Sequence, residues 1–232
     1  MKTFTNYLKG LTKDPILVLD PQLPLHAYTP LDLSMGNTEI EELAITNPDV
    51  CQRYIDTVLQ RSKALVAYGG YLEVRNLYND KDAFTGSREE LRNIHLGIDF
   101  WCPAGTAVLV PIQGRVHSFR NNSTPGDYGP AIILEHSLGE RVFYTLYGHL
   151  SLASLDGLYK GKVFKKGEQL ATLGTPDINV HYAPHLHFQI ILDLQGHVGD
   201  YPGVATQKTL AFFKKNCPDP NLLLKIDPVY PD

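Results

Sequence analysis

The chain has 232 residues, 43% of them hydrophobic and 20% charged, enough apolar content to bury a full core. A formal charge of −4 leaves no basic excess for phosphate binding, which disfavours a nucleic-acid partner. No apolar run approaches the roughly 20 residues that span a bilayer, so no membrane partner is expected.

The opening stretch, MKTFTNYLKGLTKDPILVLD, is interrupted at Asp14, Pro15 and Asp20 and does not read as a signal peptide. The expectation is therefore a cytoplasmic protein, or a periplasmic or secreted one if a leader has been removed. Cys51, Cys102 and Cys217 are odd in number, widely spaced and without a CxxC pair, which points to neither a disulfide framework nor a thiolate zinc site. Cys102 reads as a small buried residue.

Residues 1–90 differ in texture from the rest and are read as an N-terminal extension. Ile16 to Pro30, rich in proline and leucine, predicts an extended arm. Asn47-Pro48-Asp49 predicts a helix start. Val50, Tyr54, Val58, Leu59 and Leu65 supply an apolar stripe near helical spacing, and Gly69-Gly70 an end. Ser87-Arg88-Glu89-Glu90 has the form of a capping box and predicts a second short helix.

Residues 91–195 turn to short strands punctuated by turns: TAVLV, GRVHSF, AIILEH, RVFYTLYGHL, then GKVFKKGEQLATLG with a hairpin at Lys166-Gly167, and HLHFQIILDL. Such spacing predicts a mainly β protein with a sandwich or barrel-like core. Residues 196–232 are broken by Pro202, Pro218, Pro220, Pro228 and Pro231 and predict an irregular tail wrapping that core.

Nine histidines are present, and local grammar singles out a few. In His95-Leu96-Gly97-Ile98-Asp99 an imidazole precedes a carboxylate by four residues. In a straight strand the two would lie about 13 Å apart at about 3.3 Å per residue. Two ligands of one zinc, each at about 2.0–2.2 Å, require a bend, and Gly97 is where one is cheap. In His185-Leu186-His187-Phe188-Gln189-Ile190, apolar residues alternate with the two histidines and the glutamine. That predicts a strand with one apolar face and both imidazoles on the other. One of them can bind a metal while the other stands beside it; a surface strand with two solvated histidines fits the pattern equally. Tyr147-Gly148-His149 places a third imidazole at the end of an apolar strand. Two histidines and a carboxylate make a catalytic-type zinc shell with an open position, and no HExxH helix is present to supply a glutamate base.

HLGIDF at 95–100, YGHLS at 147–151 and HLHFQI at 185–190, in that order, resemble the motifs of the lysostaphin-type (LytM-like) zinc endopeptidases. GKVFKKGEQLATLG at 161–174 resembles the segment before the last of those motifs. The resemblance implies an antiparallel β core with a groove and one Zn²⁺ per chain held by His95, Asp99 and His187. It also implies catalytic roles for His149 and His185, and cleavage of an amide bond in a peptide or peptidoglycan-type substrate. His181 is a candidate for substrate contact. A closer resemblance, carried by DYGPAIILEH, FYTLYGHLS, PHLHFQIILD, GDYPGV and CPDPNLLL, is to the peptidase-like segment of proteins that also carry phosphotransferase-like and aminotransferase domains. The rival reading is a non-catalytic binding or regulatory module that retains the fold. His136 is expected to be packed and structural.

Overall fold

In a computed structural model, the described residues are 4–75, 91–124, 126–179 and 182–226. Ser87–Glu90, where a helix start is predicted, and His181 lie outside them. The protein is mainly β. Helix α1 (Phe4–Leu11) precedes β1 (Tyr28–Pro30), α2 (Pro48–Ser62) and β2 (Val66–Gly69). Strands β3 (Ile94–His95), β4 (Ile98–Trp101), β5 (Ala107–Leu109), β6 (Gly114–Asn122), β7 (Gly129–Leu138) and β8 (Arg141–Gly148) follow. The chain continues through β9 (Val163–Phe164), β10 (Gln169–Thr172), β11 (His185–Ile191), β12 (Val204–Ala205), α3 (Leu210–Asn216) and α4 (Asn221–Leu224).

Eight strands form one sheet in the order β1-β2-β4-β11-β8-β7-β6-β9. Every neighbouring pair in it is antiparallel except β1–β2, which run parallel. Strands β5 and β10 make a separate pair, as do β3 and β12. Both faces of the large sheet are covered. Alternation along β11 sends Leu186, Phe188 and Ile190 into the main core with Phe100, Tyr147, Ile132 and Leu134. Ile191 and its neighbours Leu146, Ile133 and Ala131 point the other way, into a second cluster with Tyr128, Tyr201 and Cys217. On that second face, α2 packs Cys51, Ile55 and Val58 onto Ala67, Trp101 and Ala183.

Three sequence expectations change. Helix α2 starts where expected: the Asn47 side chain accepts from the backbone N–H groups of Asp49 and Val50, with Pro48 in the first turn. It ends at Lys63, in left-handed conformation, rather than at Gly69-Gly70, because Val66–Gly69 joins the sheet. Leu65 consequently lies outside the stripe and is exposed. The segment 161–174 is not a hairpin: β9 pairs with β6, and β10 pairs with β5. The tail is only partly irregular. It contributes β12, which pairs with β3, and two short helices, and α4 receives a backbone hydrogen bond from Ile16. Among the described residues no helix is long and apolar enough to cross a membrane.

Ile55 is the most buried residue of α2, at 1% exposure, and sits behind Trp101. Truncating it leaves a cavity as well as losing transfer energy. Ile55→Ala is expected to lower unfolding stability by about 2–5 kcal/mol, read from the denaturant midpoint at constant m-value.

Candidate metal centre

The three motif segments meet because their strands are neighbours. In β11, His187 pairs with Asp99 of β4 on one side and with Gly148 of β8 on the other. His185 pairs with Trp101. The break at Leu96-Gly97, between β3 and β4, folds His95 back over Asp99, so that His95 Nε2 lies 3.2 Å from Asp99 Oδ1 instead of a strand's length away. Gly97 does more than permit that bend. A Cβ there would stand 2.7 Å from both His187 Cε1 and the Phe188 carbonyl, so the position must be bare for β11 to approach.

Among the described residues, His95, Asp99 and His187 form a cluster whose ligand atoms could hold one metal ion, and all three are buried. His187 Nδ1 lies 3.0 Å from Asp99 Oδ1 and 2.8 Å from His95 Nε2. The outer nitrogens decide what the inner ones can be. His95 Nδ1 donates to the Gly70 carbonyl at 2.9 Å, a group that can only accept. His187 Nε2 donates to Gln189 Oε1 at 2.9 Å. That amide is oriented by its own nitrogen, which donates to the Pro202 carbonyl and the Cys217 sulfur. With each ring's proton on the outer nitrogen, His95 Nε2 and His187 Nδ1 turn bare lone pairs toward each other and toward a carboxylate oxygen.

Protonation does not resolve this readily at His95. Burial and the Arg75 guanidinium push its pKa down to about 4, against the pull of Asp99. Three electron-rich atoms at 2.8–3.2 Å, away from water, are a site for a cation. A tetrahedral shell with bonds of about 2.0–2.2 Å would separate its ligand atoms by about 3.3–3.6 Å, so the trio needs only a slight opening. Outer N–H groups fixed on carbonyls are also what metal-ligating histidines use to hold tautomer and ring orientation.

His149 and His185 stand beside this trio, their ring centroids 4.0 Å apart. His185 Nδ1 donates to the Ala183 carbonyl at 2.7 Å, leaving its Nε2 bare. Its ring stacks on Trp101 at 5.7 Å. Burial, first of all, lowers the pKa of both imidazoles, that of His149 well below the ordinary value with His185 and His187 adding to the effect. His149 adopts a φ of 62°, uncommon for a residue with a side chain, and is held there by hydrogen bonds from its N–H to Tyr128 and to its carbonyl from Gly174. Tyr128 touches both His149 and His187.

The cluster opens into a cleft of about 340 Å³. Its lining includes the loop residues Thr124, Gly126, Asp127 and Tyr128, then Tyr182 and Ala183, and from the N-terminal segment Leu33, Ile45, Pro48 and Cys51. Cys102 is buried, with burial pushing its thiol up to about 11, which makes it inert. His136 is fully buried between the Gln113 carbonyl and Thr145, the structural place expected of it. Arg75, Glu73, Gln189, Trp101 and Tyr128 were not singled out by sequence reasoning. Only Gln189 left a signal, by sharing the strand face of His185 and His187.

Residues 93–198 match the family model of Peptidase family M23. The chain is 34% identical over 95 residues to a Haemophilus influenzae protein described as an uncharacterized metalloprotease, covering 41% of this chain and 18% of that one. It is 33% identical over 97 residues to a DD-carboxypeptidase/endopeptidase Mpg of Neisseria meningitidis serogroup B, covering 41% of this chain and 20% of that one. The aligned stretch thus spans about a fifth of the length of these relatives. Similar solved structures include a zinc-containing peptidase from Vibrio cholerae, with 30% identity and a TM-score of 0.34 over 42% of this chain and 27% of that one. Another is the catalytic domain of lysostaphin from Staphylococcus simulans, with 21% identity and a TM-score of 0.37 over 63% and 88%.

Gly97→Ala is expected to destabilise by about 1–3 kcal/mol through overpacking. Gly10→Ala, in open space within α1, should be neutral or stabilising by up to about 1 kcal/mol. Parallel denaturant titrations of the two variants check the contrast.

Proposed function

We propose that the protein is a zinc-dependent hydrolase that cleaves an amide bond in a peptide or peptidoglycan-type substrate. The observation that carries the reading is the convergence of His95 Nε2, His187 Nδ1 and Asp99 Oδ1, with both outer imidazole nitrogens tied to carbonyl acceptors. Two nitrogens and one oxygen, all buried, suit zinc by ligand type and number, and leave a fourth position open. The match of residues 93–198 to Peptidase family M23 and the metalloprotease and endopeptidase descriptions of the relatives support the reaction class. The finer likeness, to the peptidase-like segment of aminotransferase-containing proteins, belongs to this proposal and rests on the motifs DYGPAIILEH and CPDPNLLL.

Zinc, when bound, would supply Lewis-acid polarisation of the amide carbonyl and acidify water. The chain's own groups do the rest. His185, neutral and with Nδ1 committed to Ala183, presents Nε2 as a proton acceptor toward the cleft. His149, also neutral, can donate an N–H to a developing oxyanion. Trp101 and Ala183 fix the plane and tautomer of His185, and Tyr128 backs His149. The cleft combines apolar lining from Leu33, Ile45 and Pro48 with polar lining from Thr124 and Asp127, a mixture that suits a peptide.

Elemental analysis should find about one zinc per chain in the wild type, as a single three-ligand site requires. Zinc and cleavage should both disappear in His187→Ala. His185→Ala should keep the zinc and lose about 10²–10⁴-fold in kcat, assayed on peptides and peptidoglycan fragments. Zinc uptake with no amide cleaved in either panel would favour a binding module, and absence of zinc from the wild type would sink the metal centre.

A further inference from the structure

Asp99 uses its two oxygens differently. Oδ1 faces His95 Nε2 at 3.2 Å and His187 Nδ1 at 3.0 Å. Oδ2 accepts from Arg75 Nη1 at 2.5 Å, with both side chains 2% exposed. Arg75 is itself held on several sides. Its Nε donates to Glu73 Oε2 at 2.5 Å, and its guanidinium lies over the Trp101 ring at 5.6 Å. Glu73 Oε1 in turn accepts from the Leu33 backbone N–H at 3.0 Å. Gly70 makes room for this group, since a Cβ there would stand 1.9 Å from Arg75 Nη2. A buried guanidinium fixed by a second carboxylate, a ring and a bare glycine presents Nη1 to Asp99 Oδ2 as a rigid donor.

We propose that Arg75 is a positioning residue that reserves Oδ2 of Asp99, restricting that carboxylate to one-oxygen ligation through Oδ1 and keeping a coordination position free for water or substrate. The inference rests on His95, Asp99 and His187 being the metal site. A carboxylate with both oxygens free can chelate a metal through both, raising the coordination number and filling the position that hydrolysis needs. A charge-assisted hydrogen bond from an arginine fork competes for the second oxygen directionally. With its side chain 2% exposed and Nη1 on Asp99 Oδ2, Arg75 acts through Asp99. Through Trp101 it also contacts the ring on which His185 stacks.

Visible spectroscopy of the full chain loaded with Co²⁺ reads coordination number directly, without any turnover. In Arg75→Met, the absorption bands should weaken and move to shorter wavelength as Asp99 binds through both oxygens. Arg75→Lys, which keeps a donor for Oδ2, should recover most of the wild-type intensity. Should Arg75→Met fail to fold because Glu73 is left unpaired, Glu73→Gln/Arg75→Met removes the anion together with the cation and carries the same expectation. Identical spectra in the Met and Lys variants, whether both native-like or both altered, overturn the role of Arg75. Failure of the wild type to take up Co²⁺, or uptake unchanged in His187→Ala, overturns instead the metal-site reading beneath it.

Discussion

A carboxylate buried to 2% exposure is the constraint around which the rest of the site is arranged. An isolated Asp99 would cost several kcal/mol in desolvation, even after relaxation. The fold offsets this on Oδ2 through the Arg75 guanidinium, and leaves Oδ1 facing two imidazole nitrogens whose lone pairs call for a cation between them. Burial by itself pushes the carboxyl up, but the Arg75 guanidinium beside it helps hold it well below its usual range. Asp99 therefore stays ionised where its charge is most effective. An anion kept charged in an apolar surround attracts a cation far more strongly than one in water.

Sheet register turns that local requirement into a fold requirement. Strand β11 is central, with β4 on one edge and β8 on the other, and slipping it by one residue would exchange Leu186 and Phe188 for His185 and His187. The apolar alternation that fills the main core is thus the same alternation that aims the imidazoles. Stability and site geometry are set by one pattern. The surrounding segments share this economy. The 69–75 turn supplies the Gly70 carbonyl to His95 and the Arg75 guanidinium to Asp99. The tail supplies the Pro202 carbonyl and Cys217 sulfur that orient Gln189 under His187. The tail also receives the Tyr128 hydroxyl at the Tyr201 carbonyl, 3.0 Å away, close beside Gly203.

The elements legible in the sequence are those whose information is local. Alternation in HLHFQI declares a strand and its two faces, and Asn47-Pro48 declares a helix start. The need for a break at Gly97 follows from comparing strand rise with zinc bond lengths. Helix α1 is not legible in the sequence, since its docking against the body of the protein rather than its own eight residues accounts for it. The end of α2 is hidden because a left-handed lysine closes it where a glycine would be the usual signal. The pairing of β9 with β6 and of β10 with β5 depends on contacts across more than 40 residues, which a hairpin-like string of Lys and Gly cannot reveal. Arg75 is the clearest case. Its partners include residues 73, 99 and 101, and nothing in its immediate neighbours marks it out from any surface arginine.

The N-terminal segment is best understood through the same physics. Leu33 lines the cleft with its side chain while its backbone N–H holds Glu73, which holds Arg75, which holds Asp99. A displacement of the 31–45 arm would therefore reach the carboxylate through three hydrogen bonds, each charged on at least one side. The apolar cluster of α2 opposes such a displacement by packing Ile55 and Cys51 behind Trp101, the residue that also stacks on His185. Two independent routes, one polar and one apolar, thus tie residues 31–58 to β4, which carries Asp99 and Trp101. A cleft wall connected in this way cannot move without disturbing the groups it faces, and its contribution to substrate shape and to the order of the site is a single contribution.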